Sequence, residues 1–199
     1  MIVPAKTRNG LRYNAGMPLI VTITGSPSAG SRTLSLANRV SDALAKYGLE
    51  VQRINVRDLP ADDLLHARTD APVLKEALGL VERAQGVVVA TPVYKAAYSG
   101  ILKSFLDLLP QFGLSGKVVL PLLTGGTLAH VLALDYALRP VLMSLGPQHV
   151  VAGLFVLDKL MERMPEGDIQ LEATISERLD AVVTDFVATV RRFGIPSNP

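Results

Sequence analysis

GVVVATP, residues 86–92, is the stretch of this sequence that decides the fold. Its first five residues are small or apolar, and three of them are consecutive valines. A run of this kind without polar alternation is typical of a strand that is covered on both faces. Such strands occur in parallel sheets that carry helices on both sides. The sequence on either side of the stretch is therefore expected to alternate strands with helices.

Four further strands are predicted around this central one. PLIVTITGS (residues 18–26) is short, rich in β-branched residues and stops at Gly-Ser-Pro, and VQRINV (51–56) is more polar and suits a sheet edge. KVVLPLLTGG (117–126) and HVVAGLFVLD (149–158) follow later in the chain. The chain therefore has five predicted strands.

Helical patterns separate these strands. Apolar residues recur three or four positions apart after the first strand, on both sides of residues 86–92, through residues 128–145, and from Leu171 to Val190. The segments 58–70 and 159–168 are predicted to be loops. Five strands alternating with five helices indicate an α/β fold, and five strands suit the flavodoxin-like, doubly wound parallel sheet of order 2-1-3-4-5 with helices on both faces.

The length of 199 residues fits one domain, which we place at residues 17–199. Residues 1–16 mix charge, proline and glycine without an apolar core of signal-peptide length, so we expect a flexible N-terminal extension. No apolar run approaches the roughly 18–20 residues of a membrane span. A cytoplasmic protein without a membrane partner is therefore expected.

The composition excludes several classes of function. The formal net charge is +2 and no basic run is present, so a nucleic-acid partner is not expected. The chain contains no cysteine, which excludes disulfides, thiolate nucleophiles and iron–sulfur clusters. Its three histidines are scattered without metal-ligand spacing, so no metal site is expected.

In a doubly wound sheet the ligand binds beyond the carboxyl ends of the strands, where three loops are expected to meet. The first is GSPSAGSRT, residues 25–33, which joins a strand to a helix. Backbone N–H groups at a helix start, hydroxyl side chains and Arg32 can together hold a phosphate. The loop lacks both the P-loop and the Gly-x-Gly-x-x-Gly pattern, which favours a monophosphate such as that of FMN. The alternative is a simple turn with a helix N-cap.

The second loop is ATPVYKAAYSG, residues 90–100, and the third is LTGGT, residues 123–127. Pro92 fixes how the chain leaves the strand, and small residues in the second loop let a flat ring approach backbone amides. Tyr94 or Lys95 can stack on a ring or attract charge. The glycine pair of the third loop allows close approach to a ligand. The alternative for the second loop is that its tyrosines are only partly buried at a strand end. The alternative for the third loop is that its glycines only close a tight turn.

Four segments together resemble the NAD(P)H:FMN reductases of alkanesulfonate utilisation, within the flavodoxin-like FMN reductase family. They are GSPSAGSRT, DLLHAR, ATPVYKAAYSGILKSFLDLLP and GKVVLPLLTGGTLAHVLALDYALRPVL, and the resemblance spans residues 19–158. It implies that FMN binds as a freely exchanging substrate and is reduced by NADPH or NADH. It also implies that the reduced FMN passes to an FMN-dependent alkanesulfonate monooxygenase.

The resemblance assigns roles to individual residues. The phosphate would be held by Ser26, Ser31, Arg32 and Thr33. The isoalloxazine would be lined by Pro92, Val93, Tyr94, Lys95 and Ala96, and bordered by Thr124, Gly125 and Gly126. Hydride transfer from a nicotinamide to a flavin needs no protein acid, base or nucleophile, so no catalytic side chain is assigned.

Pro140 lies inside the helical pattern of residues 128–145. Proline has no N–H to bond the carbonyl of Tyr136, so the helix is expected to adjust around Asp135 to Pro140 by a kink or a π-bulge. In the sulfonate-linked reductases an extra residue forms a π-helical turn at a tetramer interface, and Tyr136 falls at that position. The resemblance thus implies a homodimer or homotetramer and looser flavin binding; the alternative is a kink without a functional role.

Two other functions remain open. A reductase of the same fold can retain its FMN and reduce quinones, azo dyes or metal oxyanions. A flavodoxin-like electron carrier is disfavoured by the low acidic content and by a first loop without a Thr-Gly-x-Thr pattern. The sequence does not show whether the reductant is NADH or NADPH. The candidates for binding the 2′-phosphate of NADPH are Arg32, Lys95 and Arg139.

Overall fold

The computed structural model describes residues 3–4, 17–164 and 168–193. A mainly parallel sheet is built around the strand that contains residues 86–92. In chain order its strands are β1 (Val3–Pro4), β2 (Leu19–Thr24), β3 (Glu50–Asn55), β4 (Gly86–Tyr94), β5 (Ala97–Tyr98), β6 (Val118–Gly125), β7 (His149–Val150) and β8 (Leu154–Leu157). β4 lies between β2 and β6, β3 lies beyond β2, and β7 and β8 both pair with β6. All of these pairings are parallel, and β1 and β5 are added to the sheet as antiparallel strands.

This arrangement confirms the predicted flavodoxin-like order, with one difference at the fifth position. The single strand predicted there is divided into β7 and β8 by residues 151–153. Gly153 has a φ of +78°, and a Cβ at this position would lie 2.5 Å from the carbonyl oxygen of Pro121. Backbone contact with β6 therefore requires a glycine and a left-handed conformation, which interrupts the strand.

Helices cover both faces of the sheet, as predicted. They are α1 (Arg32–Lys46), α2 (Ala61–Leu65), α3 (Pro72–Arg83), α4 (Gly100–Leu106), α5 (Arg139–Ser144) and α6 (Ala173–Phe193). β4 alternates its side chains between two buried clusters. Val87 and Val89 pack with the face that carries α3 and α4, and Val88 packs with the face that carries α1 and α6.

The prediction of a polar loop at residues 159–168 was wrong in part. β9 (Met161–Arg163) pairs antiparallel with β10 (Ile169–Leu171), and α6 begins at Ala173 rather than at Leu171. Met161, Ile169 and Leu171 are buried in the α1/α6 cluster. Each strand has only three residues, so the alternation that predicts a strand is too short to stand out from its polar neighbours. Residues 58–70 likewise contain the short helix α2.

The N-terminal extension predicted at residues 1–16 lies outside the described residues, except for β1. Val3 and Pro4 pair antiparallel with Arg53 and Gln52 of β3. Across the described ranges, no helix is both long enough and apolar enough to cross a lipid bilayer.

Residues 128–145 are less regular than the predicted helix. A 3₁₀ turn at Leu128–His130 is followed by a π-helix at Leu134–Leu138, which leads into α5. The N–H of Arg139 donates to the carbonyl of Leu134, five residues earlier. Because Pro140 cannot donate to Tyr136, the wider π register accommodates the proline at the start of α5. The adjustment expected around Asp135 to Pro140 is thus a π-helical turn.

Candidate functional site

The three loops selected from the sequence meet in one pocket at the carboxyl edge of the sheet. The pocket lies among the end of β2, the start of α1, the end of β4, the end of β6 and the segment after β8. Its lining residues are Ser26, Ser28, Ser31, Arg32, Thr33, Pro92, Val93, Tyr94, Thr124, Gly125, Gly126, Asp158 and Arg163. The predicted site residues are therefore brought together, apart from Lys95 and Ala96.

The first loop depends on a glycine at its base. The N–H of Gly25 donates to the carbonyl of Ala90 at 2.8 Å, which continues the sheet past β2. A Cβ at Gly25 would lie only 2.4 Å from the Cβ of Leu102 in α4. The hydroxyl of Ser99, which also caps α4, donates to the carbonyl of Gly25. Close packing against α4 thus fixes the path of the first loop.

The end of the pocket at α1 is suited to an anion. Ser31 is the N-cap of α1, and its hydroxyl accepts the N–H of Leu34 at 3.1 Å. The N–H groups of Arg32 and Thr33 lie in the first turn and have no acceptor within the helix. No acidic residue lies in that turn, so the positive end of the helix dipole is not neutralised there. Ser26 is buried beside them.

The side chain of Thr33 makes a contact within the protein that the sequence did not predict. Its hydroxyl lies 2.6 Å from the hydroxyl of Thr124, and both side chains are buried. This hydrogen bond joins the first loop to the end of β6. Thr33 lines the pocket, and its backbone N–H lies in the first turn of α1, where an anion can accept it.

The second loop is a β-hairpin. β4 continues to Tyr94 and turns directly into β5, with Val93 opposite Tyr98 and Tyr94 opposite Ala97. The two turn residues, Lys95 and Ala96, have φ values of 50° and 63°. Two consecutive left-handed residues are the signature of a type I′ turn, which Asn-Gly and Gly-Gly favour and L-residues with a Cβ do not.

This turn explains why Lys95 and Ala96 do not line the pocket. They form the tip of the hairpin, whereas Pro92 and Val93 are in the strand that leads to it. Tyr94 lines the pocket with half of its side chain exposed. The hairpin was not evident from the sequence, because neither turn residue is glycine or asparagine.

The third loop brings backbone close to the pocket. A Cβ at Gly125 would lie 3.1 Å from the ring of Phe155, and one at Gly126 would lie 3.9 Å from a carboxylate oxygen of Asp158. Gly125 therefore lies tightly against β8. The two glycines form a small border to the pocket without side chains.

Sequence reasoning did not select Ser28, Asp158 or Arg163. Ser28 lies within the first loop, next to residues that were selected. Asp158 directly follows β8, so the rule that sites form at the carboxyl ends of parallel strands would have identified it. Arg163 is supplied by the β9–β10 hairpin, and no sequence signal for that hairpin was recognised.

The donor set fits a phosphate monoester with an attached flat ring. Serine hydroxyls, helix N–H groups and the guanidinium of Arg32 lie at the α1 end. Proline, valine and glycine line the other end, where an aromatic ring can contact apolar side chains and backbone amides. These are the features expected of an FMN site in a doubly wound fold.

Comparison with known proteins agrees with this geometry. The family described as NADPH-dependent FMN reductase matches residues 18–162. An FMN reductase (NADPH) of Pseudomonas putida is 48% identical over 177 residues, covering 87% of this chain and 89% of its own. The FMN reductase (NADPH) of Escherichia coli is 44% identical, covering 87% and 90%.

A solved structure gives the same result at the level of the fold. The apo form of an NADH:FMN oxidoreductase, EmoB, has a TM-score of 0.79 and 42% identity, with 92% of each chain covered. The cofactors of the present enzyme are accordingly FMN and a nicotinamide nucleotide. The chain belongs to the NADPH-dependent FMN reductase family and has its flavodoxin-like fold.

Proposed function

We propose that the protein is an NAD(P)H:FMN oxidoreductase that treats FMN as an exchangeable substrate. It supplies the reduced FMN to a separate FMN-dependent monooxygenase that cleaves alkanesulfonates. The convergence of the three loops on one pocket with an anion-binding end is the observation that carries the proposal. The sulfonate assignment is supported by the TPVYKAAYSG and TGGT…DYALRP segments of the sequence.

Within this proposal the FMN phosphate lies at the start of α1. The hydroxyls of Ser26 and Ser31, the guanidinium of Arg32 and the N–H of Thr33 bind it. Pro92, Val93 and Tyr94 lie along the ring, and Thr124, Gly125 and Gly126 border it. Lys95 and Ala96 act through the turn, which sets the position of Tyr94.

The bound FMN would supply the redox chemistry by accepting a hydride from the nicotinamide. Pro92 and Val93 would hold the ring at the carboxyl edge of the sheet and shield it from water on their side. Because hydride transfer between a nicotinamide and a flavin depends on how the protein positions them and not on proton transfer by the protein, we assign no acid, base or nucleophile to the chain.

Release of the flavin is supported by the exposure of its proposed aromatic neighbour. Tyr94 is the last residue of β4, next to the hairpin tip, and its relative exposure of 50% leaves this side of the pocket open to solvent. The π-helix contacts β5 of the same hairpin. A change in the register of the π-helix would therefore be transmitted to the flavin pocket.

We further propose that the segment around Tyr136 forms a contact between copies of the chain, in a homodimer or homotetramer. Tyr136 has a relative exposure of 79%, and Leu128 and Leu132 are 65% and 59% exposed. Apolar side chains this exposed, close together in sequence, are typical of a surface that a second subunit covers.

Nicotinamide oxidation with and without added FMN tests the proposal. The purified protein should be colourless and should oxidise NADPH or NADH only when free FMN is present, with ternary-complex kinetics. Adding an alkanesulfonate monooxygenase and its substrate should release sulfite. A yellow protein with ping-pong kinetics would instead indicate an FMN-retaining reductase, and an absence of FMN-dependent oxidation would exclude both enzymes.

A further inference from the structure

The β9–β10 hairpin contributes Arg163 to the lining of the flavin pocket. It follows the sheet strands in sequence, and the family match ends at residue 162, within β9. Three of its side chains, Met161, Ile169 and Leu171, are buried among α1 and α6. The hairpin is thus anchored to the core, which fixes the backbone position of the residue that it presents to the pocket.

A hydrogen bond joins this hairpin to the proposed phosphate-binding loop. Nε of Arg32 donates to the carbonyl of Met161 at 3.0 Å. With Nε engaged, Arg32 has only its terminal Nη groups with which to bind a ligand. The same bond places the backbone of β9 beside the start of α1.

Arg163 is two residues beyond Met161 on β9 and lines the same pocket as Ser26, Ser31 and Arg32. Two residues of strand correspond to only about 7 Å, so a guanidinium on its long side chain can reach the α1 end of the pocket. The carboxylate that lines this pocket, Asp158, lies instead beside Gly126 of the third loop.

A second cation beside Arg32 would strengthen the attraction of this pocket for a phosphate. A phosphate monoester carries a charge of about −1.5 to −2 at neutral pH. Arg32 supplies one positive charge, and the end of the α1 dipole is worth roughly half a charge. A second guanidinium completes the neutralisation and adds planar, charge-assisted hydrogen bonds.

Building on the FMN reductase function proposed above, we propose that Arg163 binds the FMN phosphate and makes the pocket prefer FMN to riboflavin. Riboflavin has the same ring and ribityl chain but no phosphate. Arg163, one residue beyond the segment that matches the family, therefore acts as a specificity element of the flavin site.

Equilibrium binding of FMN and riboflavin to the purified protein tests this inference. We expect Arg163→Gln to weaken FMN binding by roughly 10-fold to 100-fold, as loss of a charged hydrogen-bonding partner predicts. Riboflavin affinity should be unchanged, and the salt dependence of FMN binding should decrease. Arg163→Lys should recover part of the loss, because lysine keeps the charge without the planar fork.

Arg83→Gln is the matched control. Arg83 is exposed at the end of α3, next to the amino ends of the strands, so the same loss of charge there should leave both affinities unchanged. Equal FMN binding by wild type and Arg163→Gln would overturn the inference. So would an equal loss of FMN and riboflavin binding, or a higher KM for NADPH alone. Failure of the wild type to bind either flavin would instead overturn the proposed function.

Discussion

The hydroxyl oxygens of Thr33 and Thr124 lie 2.6 Å apart and join the first turn of α1 to the end of β6. The two residues are 91 positions apart in the chain, and both side chains are buried. This bond holds the first and third loops of the flavin pocket at a fixed separation. The position of the proposed phosphate site relative to the ring site therefore depends on a pair of neutral side chains.

Removing both members of the pair should cost less than the sum of the two single removals. Thr33→Val leaves the buried hydroxyl of Thr124 without its partner, which should lower the free energy of unfolding by about 1–3 kcal/mol. The double variant with Thr124→Val removes both polar groups, so its loss should be smaller than the sum of the two single losses. Urea unfolding of the four proteins measures this coupling, and strictly additive losses would contradict it.

Two glycines of the first loop should respond differently to the same substitution. Gly25→Ala places a Cβ 2.4 Å from the Cβ of Leu102, so either α4 or the loop must move. We expect a loss of about 1–3 kcal/mol in stability, as overpacking typically costs, together with weaker FMN binding. Gly30→Ala meets no atom within 4 Å and is the control. Equal thermal stability of the two variants would show that the loop adapts without cost.

The hairpin turn stores backbone strain that glycine can release. Ala96 has a φ of 63°, a left-handed conformation that costs an L-residue about 1–2 kcal/mol. Ala96→Gly should therefore raise the melting temperature. Ala97→Gly, one residue further on in β5, should lower it because glycine weakens a strand. Calorimetric scans of the two variants make the comparison, and a lower melting temperature for Ala96→Gly would argue against strain at this turn.

Deleting Tyr136 should convert the π-helical turn into a continuous α-helical register. We expect the deletion variant to be purified with bound FMN and a yellow colour, and to form smaller assemblies in light scattering. Tyr136→Ala keeps the chain length and the π register, so it should affect the assembly without causing retention of FMN. If the deletion variant binds FMN as weakly as the wild type does, the π-helix does not control flavin release.

Lys117 should make stability depend on pH in the alkaline range. Its Nζ is buried and donates to the carbonyls of Glu82 and Ala84 at 2.7 and 2.9 Å. Burial lowers the pKa of Lys117 from its usual 10.5, against a smaller opposing effect of Glu82. Between the lowered pKa and 10.5 the unfolded chain binds more protons, so stability should rise with pH across that window.

The difference between wild type and Lys117→Met isolates this contribution. The variant should be less stable at neutral pH, because two carbonyls lose their donor. It should also lack the part of the alkaline slope that Lys117 supplies. Urea midpoints measured from neutral pH to 10.5 give both quantities, and parallel pH profiles would show that Lys117 has an ordinary pKa.

Most of the sheet could be predicted because the sequence patterns of its strands and helices are continuous over many neighbouring residues. The unbroken apolar run at residues 86–92 identifies a doubly covered strand, and the helical periods on both sides identify the crossovers. The convergence of the loops follows from geometry alone, since parallel strands present their carboxyl ends at one edge. Pro140 similarly predicts an irregular helix from one missing N–H.

The remaining features arise from tertiary contacts that a linear pattern does not carry. Lys95 and Ala96 adopt a turn that their own preferences disfavour, because the strands on either side impose it. The β9–β10 hairpin has three residues a strand, and its buried side chains are recognisable only once α1 and α6 are in place. Arg163 could not be assigned to the pocket before that hairpin was known.

The bond between Arg32 and Met161 spans 129 positions and has a consequence for biosynthesis. A nascent chain that has emerged from the ribosome only as far as β6 already contains both threonines of the pocket. It still lacks the β9–β10 hairpin and the long C-terminal helix on which that hairpin rests. The complete lining of the flavin pocket therefore exists only after the segment beyond β6 has been synthesised.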